Sequence, residues 1–240
     1  MRKLSLLLLL AIFALPSIAA ADMHAPFNAL LKANVRGDKV NYNGFKGNAS
    51  FQSYLSALES ADISSMSRNE KLAFWINAYN ATMIKVVLAN PGKRSVRDMG
   101  PGNFGIFKVA NHKVAGQMVS LDKIENGIIR PTFKEPRIHA ALNCASISCP
   151  PLANFAFTGA KVNAQLQKVF TRFARDKSRN QISAGGVALS QIFKWYAADF
   201  GGPSGVAAYL SKFISDAATK SALSSGSIGF AQYNWGLNNL

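Results

Sequence analysis

Two cysteines and three histidines are all that the 240 residues offer for thiol chemistry or soft-metal ligation. Beside Cys144 and Cys149 stand only His24, His112 and His139, so the second closely spaced ligand pair of a structural zinc site is missing. No metal and no other cofactor is expected. Acidic residues are scarce too: 12 Asp+Glu face 27 Lys+Arg, a net charge of +15. That balance favours anionic neighbours such as phosphorylated envelope glycans, lipid headgroups or acidic peptides. Yet the longest basic cluster is GKRSVR (residues 92–97), with no polybasic arm. Charge alone supplies only non-specific attraction to nucleic acid, so no specific nucleic-acid binding is expected. The chain also lacks a Gly-rich phosphate loop, a GxSxG nucleophile elbow and an HExxH helix.

Long apolar runs are limited to one, and it lies in MRKLSLLLLLAIFALPSIAAAD. Arg2 and Lys3 open it, Leu4 to Leu15 form an apolar run interrupted only by Ser5, and Pro16 precedes small residues with cleavage options at Ser17-Ile18-Ala19 or Ala19-Ala20-Ala21. This is the layout of a signal peptide over residues 1–21, without a lipobox cysteine or twin arginine. The run is too short for an ordinary membrane span of about 20 apolar residues. The expectation is a periplasmic or secreted protein with no stable span after cleavage, its mature part, residues 22–240, forming one domain.

Hydrophobic periodicity supplies the elements. Residues 27–32 and 51–58 read as short amphipathic helices, and Val40 and Tyr42 alternate with polar residues as in an extended piece. SRNEKLAFWINAYNATMIKVVLANPG carries the strongest helical signal: Ser67 and Glu70 form a capping box, and Asn90-Pro91-Gly92 a stop. GIFKVANHKVAGQMVS reads as a hairpin turning near Asn111-His112, and Ser120 as the cap of a short helix, LDKIENGIIR. RIHAALN (residues 137–143) reads as a buried strand. Further helices are expected after Thr158, after Ser190 and over residues 203–214. A second hairpin is expected around Ala184-Gly185-Gly186, and a last strand in SIGFAQYNW. Helices with short, mostly hairpin-linked strands indicate an α+β fold rather than a parallel α/β sheet.

Both cysteines fall in HAALNCASISCPPL (residues 139–152). In an oxidising compartment they could form a disulfide, because the four intervening residues can reverse direction and bring the Cα atoms within ~4.4–6.8 Å. As a nucleophile, Cys144 needs a low thiol pKa and a base. His139 is near in sequence, but five residues of continuous strand span about 16 Å and place the two side chains on opposite faces. A Cys–His pair therefore requires a turn at Asn143-Cys144, or His112 arriving from the hairpin. Asn77 and Asn80, three apart on a largely apolar helix, need hydrogen-bond partners. They serve either as a bracket for a loop or as a polar wall of a site. Glu125 is placed to pair with Arg130 or Arg137 or to act as a base, and Asp199, at a helix end, calls for a specific partner. Trp75, Trp195 and Trp235 fit core positions better than a carbohydrate platform.

FWINAYNA (residues 74–81), SLDKIENGIIR (120–130), PRIHAALNCASISCPPL (136–152), IFKWYAADFG (192–201) and YNWGLN (233–238) follow one another in an order that resembles the family of domains of unknown function numbered 547. One departure is Asn234, where the family more often has Asp before Trp. The resemblance implies an α+β domain found in exported bacterial proteins and inside eukaryotic cells, sometimes fused to glutaredoxin-like domains. A cysteine pair kept in reducing compartments is harder to explain as a permanent disulfide, so the resemblance implies a site role. It brings no established reaction.

The expected site gathers Asn77, Asn80, Glu125, His139, Cys144 and Cys149 in one cleft, with Arg137 and Trp75 on its binding side. The expected chemistry is thiol-dependent acyl transfer or amide hydrolysis in a papain-like or transglutaminase-like manner. In it Cys144 is the nucleophile, His139 or His112 the base, and Asn77 or Asn80 an orienting or oxyanion donor. The alternatives are a non-catalytic binding module for an anionic envelope ligand stapled by Cys144–Cys149, and a thiol redox partner. The ligand is accordingly a small molecule, a peptide or an envelope component.

Overall fold

The computed structural model describes residues 22–225 and 227–240; the leader expected over residues 1–21 lies outside them. Its organising element is α3 (Arg68–Leu88), the capped helix expected from Ser67 and Glu70. The Ser67 hydroxyl accepts from the Glu70 N–H at 3.3 Å, and the Glu70 carboxylate from the Ser67 N–H at 2.8 Å. From Leu72 to Val87 nearly every side chain is buried, because other elements cover α3 on almost all sides. α1 (Ala25–Asn34) and α2 (Ala49–Ser60) pack together beside it, stacking Phe27 on Tyr54 with ring centroids 4.8 Å apart. Between them run the short antiparallel strands β1 (Val35–Arg36) and β2 (Lys39–Val40). Tyr42 is not extended as expected. It begins a 3-10 turn, and its hydroxyl donates to the Asn238 side chain at 2.7 Å.

The hairpin β3 (His112–Val114) and β4 (Gln117–Val119) turns at Ala115-Gly116, not at Asn111-His112. Both turn residues have positive φ, 47° and 75°. A two-residue turn of this hand matches strand twist, but the choice of place is tertiary. The N–H groups of Ala115 and Gly116 donate to the Leu58 and Glu59 carbonyls, which are left open at the C-terminal end of α2. The helix after Ser120 is present, and the Ser120 hydroxyl accepts from the Lys123 N–H at 3.0 Å. Its turns are wide, however: Lys123–Ile129 is a π-helix that runs into α4 (Arg130–Phe133).

RIHAALN is not a strand. Pro136–Ala140 forms a 3-10 helix, opened by the Glu135 carboxylate accepting from the Arg137 N–H. A continuous apolar run buried on all sides does not distinguish the two conformations by periodicity. α5 (Val162–Ala174), set four residues after Thr158, packs against this turn. β5 (Gln181–Ser183) and β6 (Gly186–Leu189) form the expected second hairpin, and β7 (Ile228–Phe230) adds to β6 in parallel. α6 (Gln191–Trp195) continues into a 3-10 turn, Ala197–Phe200, followed by α7 (Gly205–Ser211) and α8 (Ala217–Ser225). The fold is α+β, as expected. One continuous core joins Phe27 in α1 to Phe170, Phe193 and Phe200 at the other end.

Candidate functional site

A cleft of about 220 Å³ is built by α3 with Tyr79, by Phe104 and Phe107 ahead of β3, by Asp122 with Glu125 and Asn126 of the π-helix that follows it, by the turn carrying His139 with the cysteine loop, and by the aromatic side chains at 195–196 and in the C-terminal segment. Glu125, His139, Cys144 and Cys149 line it, as the sequence reading expects. Asn77 and Asn80 lie outside the lining because their amides are held by backbone. Asn77 donates to the Phe157 carbonyl at 2.7 Å and accepts from the Phe157 N–H at 2.9 Å. Asn80 donates to the Ala141 carbonyl at 2.8 Å and accepts from the Asn143 N–H at 2.9 Å. They are brackets, and Asn80 anchors the cysteine loop.

Asn143 makes the decisive turn. Its side-chain oxygen accepts from the Ala145 N–H at 2.9 Å, and Ala145 sits at φ 64°. Left-handed backbone is costly for alanine, so surrounding contacts must hold it. They are numerous: Asn143 Nδ2 donates to the Pro150 carbonyl, and the Ala145 carbonyl accepts from the Asn238 N–H. Arg179, itself buried, donates to the carbonyls of Cys149 and Ile147 at 3.0 and 2.8 Å. The C-terminal segment closes the loop, with the Ile147 N–H on Gly236 at 2.7 Å and the Ser148 N–H on Asn234 at 3.2 Å. Asn234 Oδ1 accepts from the Gly236 N–H at 2.9 Å, a turn that an Asp carboxylate would make equally well. Asn234 is therefore a turn residue in this chain, outside the cleft lining. With 3-10 rise of about 2.0 Å per residue and this reversal, His139 and Cys144 face one cleft despite their odd spacing.

Cys144 and Cys149 are free thiols. The Cys144 N–H donates to Cys149 Sγ at 2.9 Å. Hydrogen bonds from Cys149, then from Ser146 and Tyr233, pull the Cys144 thiol down from 9.0 to about 6, against burial, which acts the other way. Ser146 Oγ lies 3.1 Å and the Tyr233 hydroxyl 3.5 Å from Cys144 Sγ. Burial pushes the Cys149 thiol well up, so it remains the proton donor of the pair.

His139 is 2% exposed and stacks on Tyr196 at 3.9 Å. Its Nε2 lies 2.7 Å from Asp199 Oδ2, and the hydrogen bond from His139 with those from Arg130 keeps Asp199 far below the usual carboxylate range. Arg130 grips Asp199 with two bonds, at 2.7 and 2.9 Å, and lies over the Tyr196 ring. The Nε2 N–H thus donates to the Asp199 carboxylate, which leaves Nδ1 buried with no hydrogen-bond partner, 3.7 Å from Glu125 Oε1. Burial raises the Glu125 carboxyl above its usual range, and the nearby Cys144 sulfur adds to the rise.

Other sequence expectations are corrected. His112 is buried in the hairpin near Lys85, its pKa lowered to about 4 by burial first; it lies outside the cleft. Arg137 is held by Glu135 and by Asn163 and Gln167 of α5, and Trp75 is a core residue packed edge-on to Phe74. Glu125 pairs with neither arginine; its neighbours are His139 and Tyr196. Trp195 and Trp235, read as core, instead line the cleft, and Trp195 is 46% exposed. Asp199 does have its specific partner, but nothing in its local sequence marks it as a site residue. The signal that was available is the recurrence of IFKWYAADFG and YNWGLN among the resembling blocks.

Residues 63–174 match the family described as Protein of unknown function, DUF547. That stretch belongs to the DUF547 family. No curated protein and no solved structure matches the chain. The DUF547 stretch holds Tyr79, Glu125, His139, Cys144 and Cys149, while Asp199, Tyr196, Trp195, Tyr233 and Trp235 come from the chain beyond it.

Proposed function

We propose that the cleft carries out thiol-dependent acyl transfer or amide hydrolysis with Cys144 as nucleophile. The observation that supports this most is the meeting, in one cleft, of a Cys144 thiol lowered to about 6 and a buried histidine whose Nδ1 is left free by Asp199. The Cys144 sulfur is hydrogen-bonded to Cys149, Ser146 and Tyr233 rather than to a histidine. With a pKa near 6 the thiolate forms at neutral pH without a base in contact. The Glu125–His139 pair is then free to act on the leaving group.

In the proposed sequence, the Cys144 thiolate attacks the acyl carbon and forms the C–S bond. The C–N bond breaks, and the amine leaves with a proton supplied by the Glu125 carboxyl. Water, or a second amine, then attacks the thioester while the Glu125–His139 pair takes its proton, and the thiolate departs. Asp199 and Arg130 hold the imidazole orientation throughout. The hydroxyls of Tyr233 and Ser146, beside the sulfur, are the donors available to the developing oxyanion. The proposal includes export through the leader at residues 1–21, which cell fractionation tests: cytoplasmic retention would refute it.

The test is a burst experiment with 4-nitrophenyl acetate at neutral pH. The expected result is about one equivalent of released nitrophenolate and an acetyl group on Cys144 by peptide mass spectrometry. Cys144→Ala should lose the burst, and His139→Gln should keep acylation but slow turnover. Acetylation confined to lysines, with Cys144 unmodified, would overturn the assignment.

A further inference from the structure

For a protein of net charge +15, the cleft has an unexpected lining. It contains Asp122 and Glu125 but no lysine or arginine. The Arg130 guanidinium, which lies over the lining residue Tyr196, is already held by Asp199. The opposite wall is aromatic and continuous. Phe104 meets Trp235 at 4.4 Å, Trp235 meets Trp195 at 5.4 Å and Tyr233 at 4.3 Å, and Trp195 meets Tyr233 at 4.8 Å. Two features of this wall point to a ligand rather than to core packing. Trp195 stays nearly half exposed, and His139, whose buried Nδ1 has no hydrogen-bond partner, lines the same cleft.

Two cationic side chains already lie against aromatic rings of the cleft lining. The Arg97 guanidinium lies 5.4 Å from the Phe104 ring centroid, and Arg130 4.9 Å from that of Tyr196. Ring faces carry the negative end of the quadrupole and attract a cation most strongly where water is excluded. A carboxylate facing such a wall adds a counter-ion, and the lining offers an anion no lysine or arginine of its own.

We infer that this cleft recognises an organic cation, an alkylammonium group seated against Trp195, Trp235 and Tyr233 with Asp122 as its counter-ion. The basic surface and the cleft then have different partners. Net charge governs what the protein drifts toward, and the cleft selects a positively charged small molecule or side chain. This inference rests on the same cleft as the proposed reaction but not on its thiol chemistry. If both hold, the ammonium belongs to the amine part of the amide that is cleaved or formed.

The probe pair is choline and its uncharged carbon isostere 3,3-dimethylbutan-1-ol, followed by tryptophan fluorescence and by calorimetry on the full mature chain. Choline should saturate with a Kd in the millimolar range and bind about tenfold more tightly than the isostere. Asp122→Asn, which keeps an acceptor for the Asn126 amide, and Trp195→Ala should each weaken choline about fivefold or more. Their exposure makes loss of folding a minor concern, and far-UV circular dichroism checks it. Cys144→Ala should still prefer choline, so a failed burst with retained preference would remove the reaction and leave the cation site. Equal binding of the two probes, or a neutral disaccharide that saturates where choline does not, would overturn the inference.

Discussion

Tyr233→Phe should raise the pH at which Cys144 ionises, and the structure sets the size of the change. The fall from 9.0 to about 6 corresponds to about 4 kcal/mol in favour of the thiolate. Burial opposes it, so the hydrogen bonds from Cys149, Ser146 and Tyr233 supply more than that sum. A hydrogen bond to a charged acceptor contributes about 1.5–3 kcal/mol, and the Tyr233 contact, at 3.5 Å, is the longer of the two hydroxyl contacts. Its removal should therefore raise the midpoint by about one pKa unit. At pH 7 the thiolate fraction would fall only from about 90% to about 50%, and the more basic sulfur is intrinsically more nucleophilic by roughly threefold. A rate at one pH would thus miss the effect, and the midpoint is the proper observable. The assay is iodoacetamide alkylation across pH, with the modified peptide identified by mass spectrometry. Cys149, its thiol raised by burial, should remain unmodified. Ser146→Ala should move the midpoint at least as far, the two changes combining less than additively because the Ser146 and Tyr233 hydroxyls are themselves hydrogen-bonded, 3.1 Å apart. A wild-type midpoint near 9, or one that neither substitution moves, would refute this account of the thiol.

Four further substitutions test the same geometry. Asp199→Asn should lower turnover of an acyl substrate by about 10²–10⁴-fold, because the imidazole loses the partner that fixes its tautomer. Since the Asp199 pKa is depressed in the fold, its contribution to stability is complete above the unfolded carboxylate range near pH 4 and fades as pH falls below it. Urea midpoints in acid should accordingly be flatter for the variant. Glu125 has the opposite sign: its pKa is raised by burial, so its charged form opposes folding as pH rises through its folded pKa. Glu125→Gln should therefore raise Tm at neutral pH by about 2–4 °C while removing proton transfer, read by calorimetry and by the burst assay. Asn77→Ala leaves the Phe157 N–H and carbonyl buried and unpaired, which costs about 2–4 kcal/mol in urea unfolding. Asn80→Ala should cost as much and also return the Cys144 midpoint toward its ordinary value, because it releases the loop.

Local chemistry that is complete within one segment was legible in the sequence. The Ser67–Glu70 capping box, the Ser190 cap and the Ala184-Gly185-Gly186 hairpin each need only neighbours in the chain to form, so residue type and spacing were enough. The α+β class followed from the same patterns. Three features were decided elsewhere. The hairpin turned at Ala115-Gly116 because α2 ends in open carbonyls just there. RIHAALN became a 3-10 turn because neighbouring elements bury it all round, which removes the one-sided pattern that separates helix from strand. The Asp199–His139 pair joins residues 60 positions apart, the aromatic wall brings Phe104 to Trp235, and no periodicity encodes such meetings. Sequence alone determined which side chains could do chemistry; the tertiary structure decided which of them share water-poor space, since that depends on contacts between distant segments.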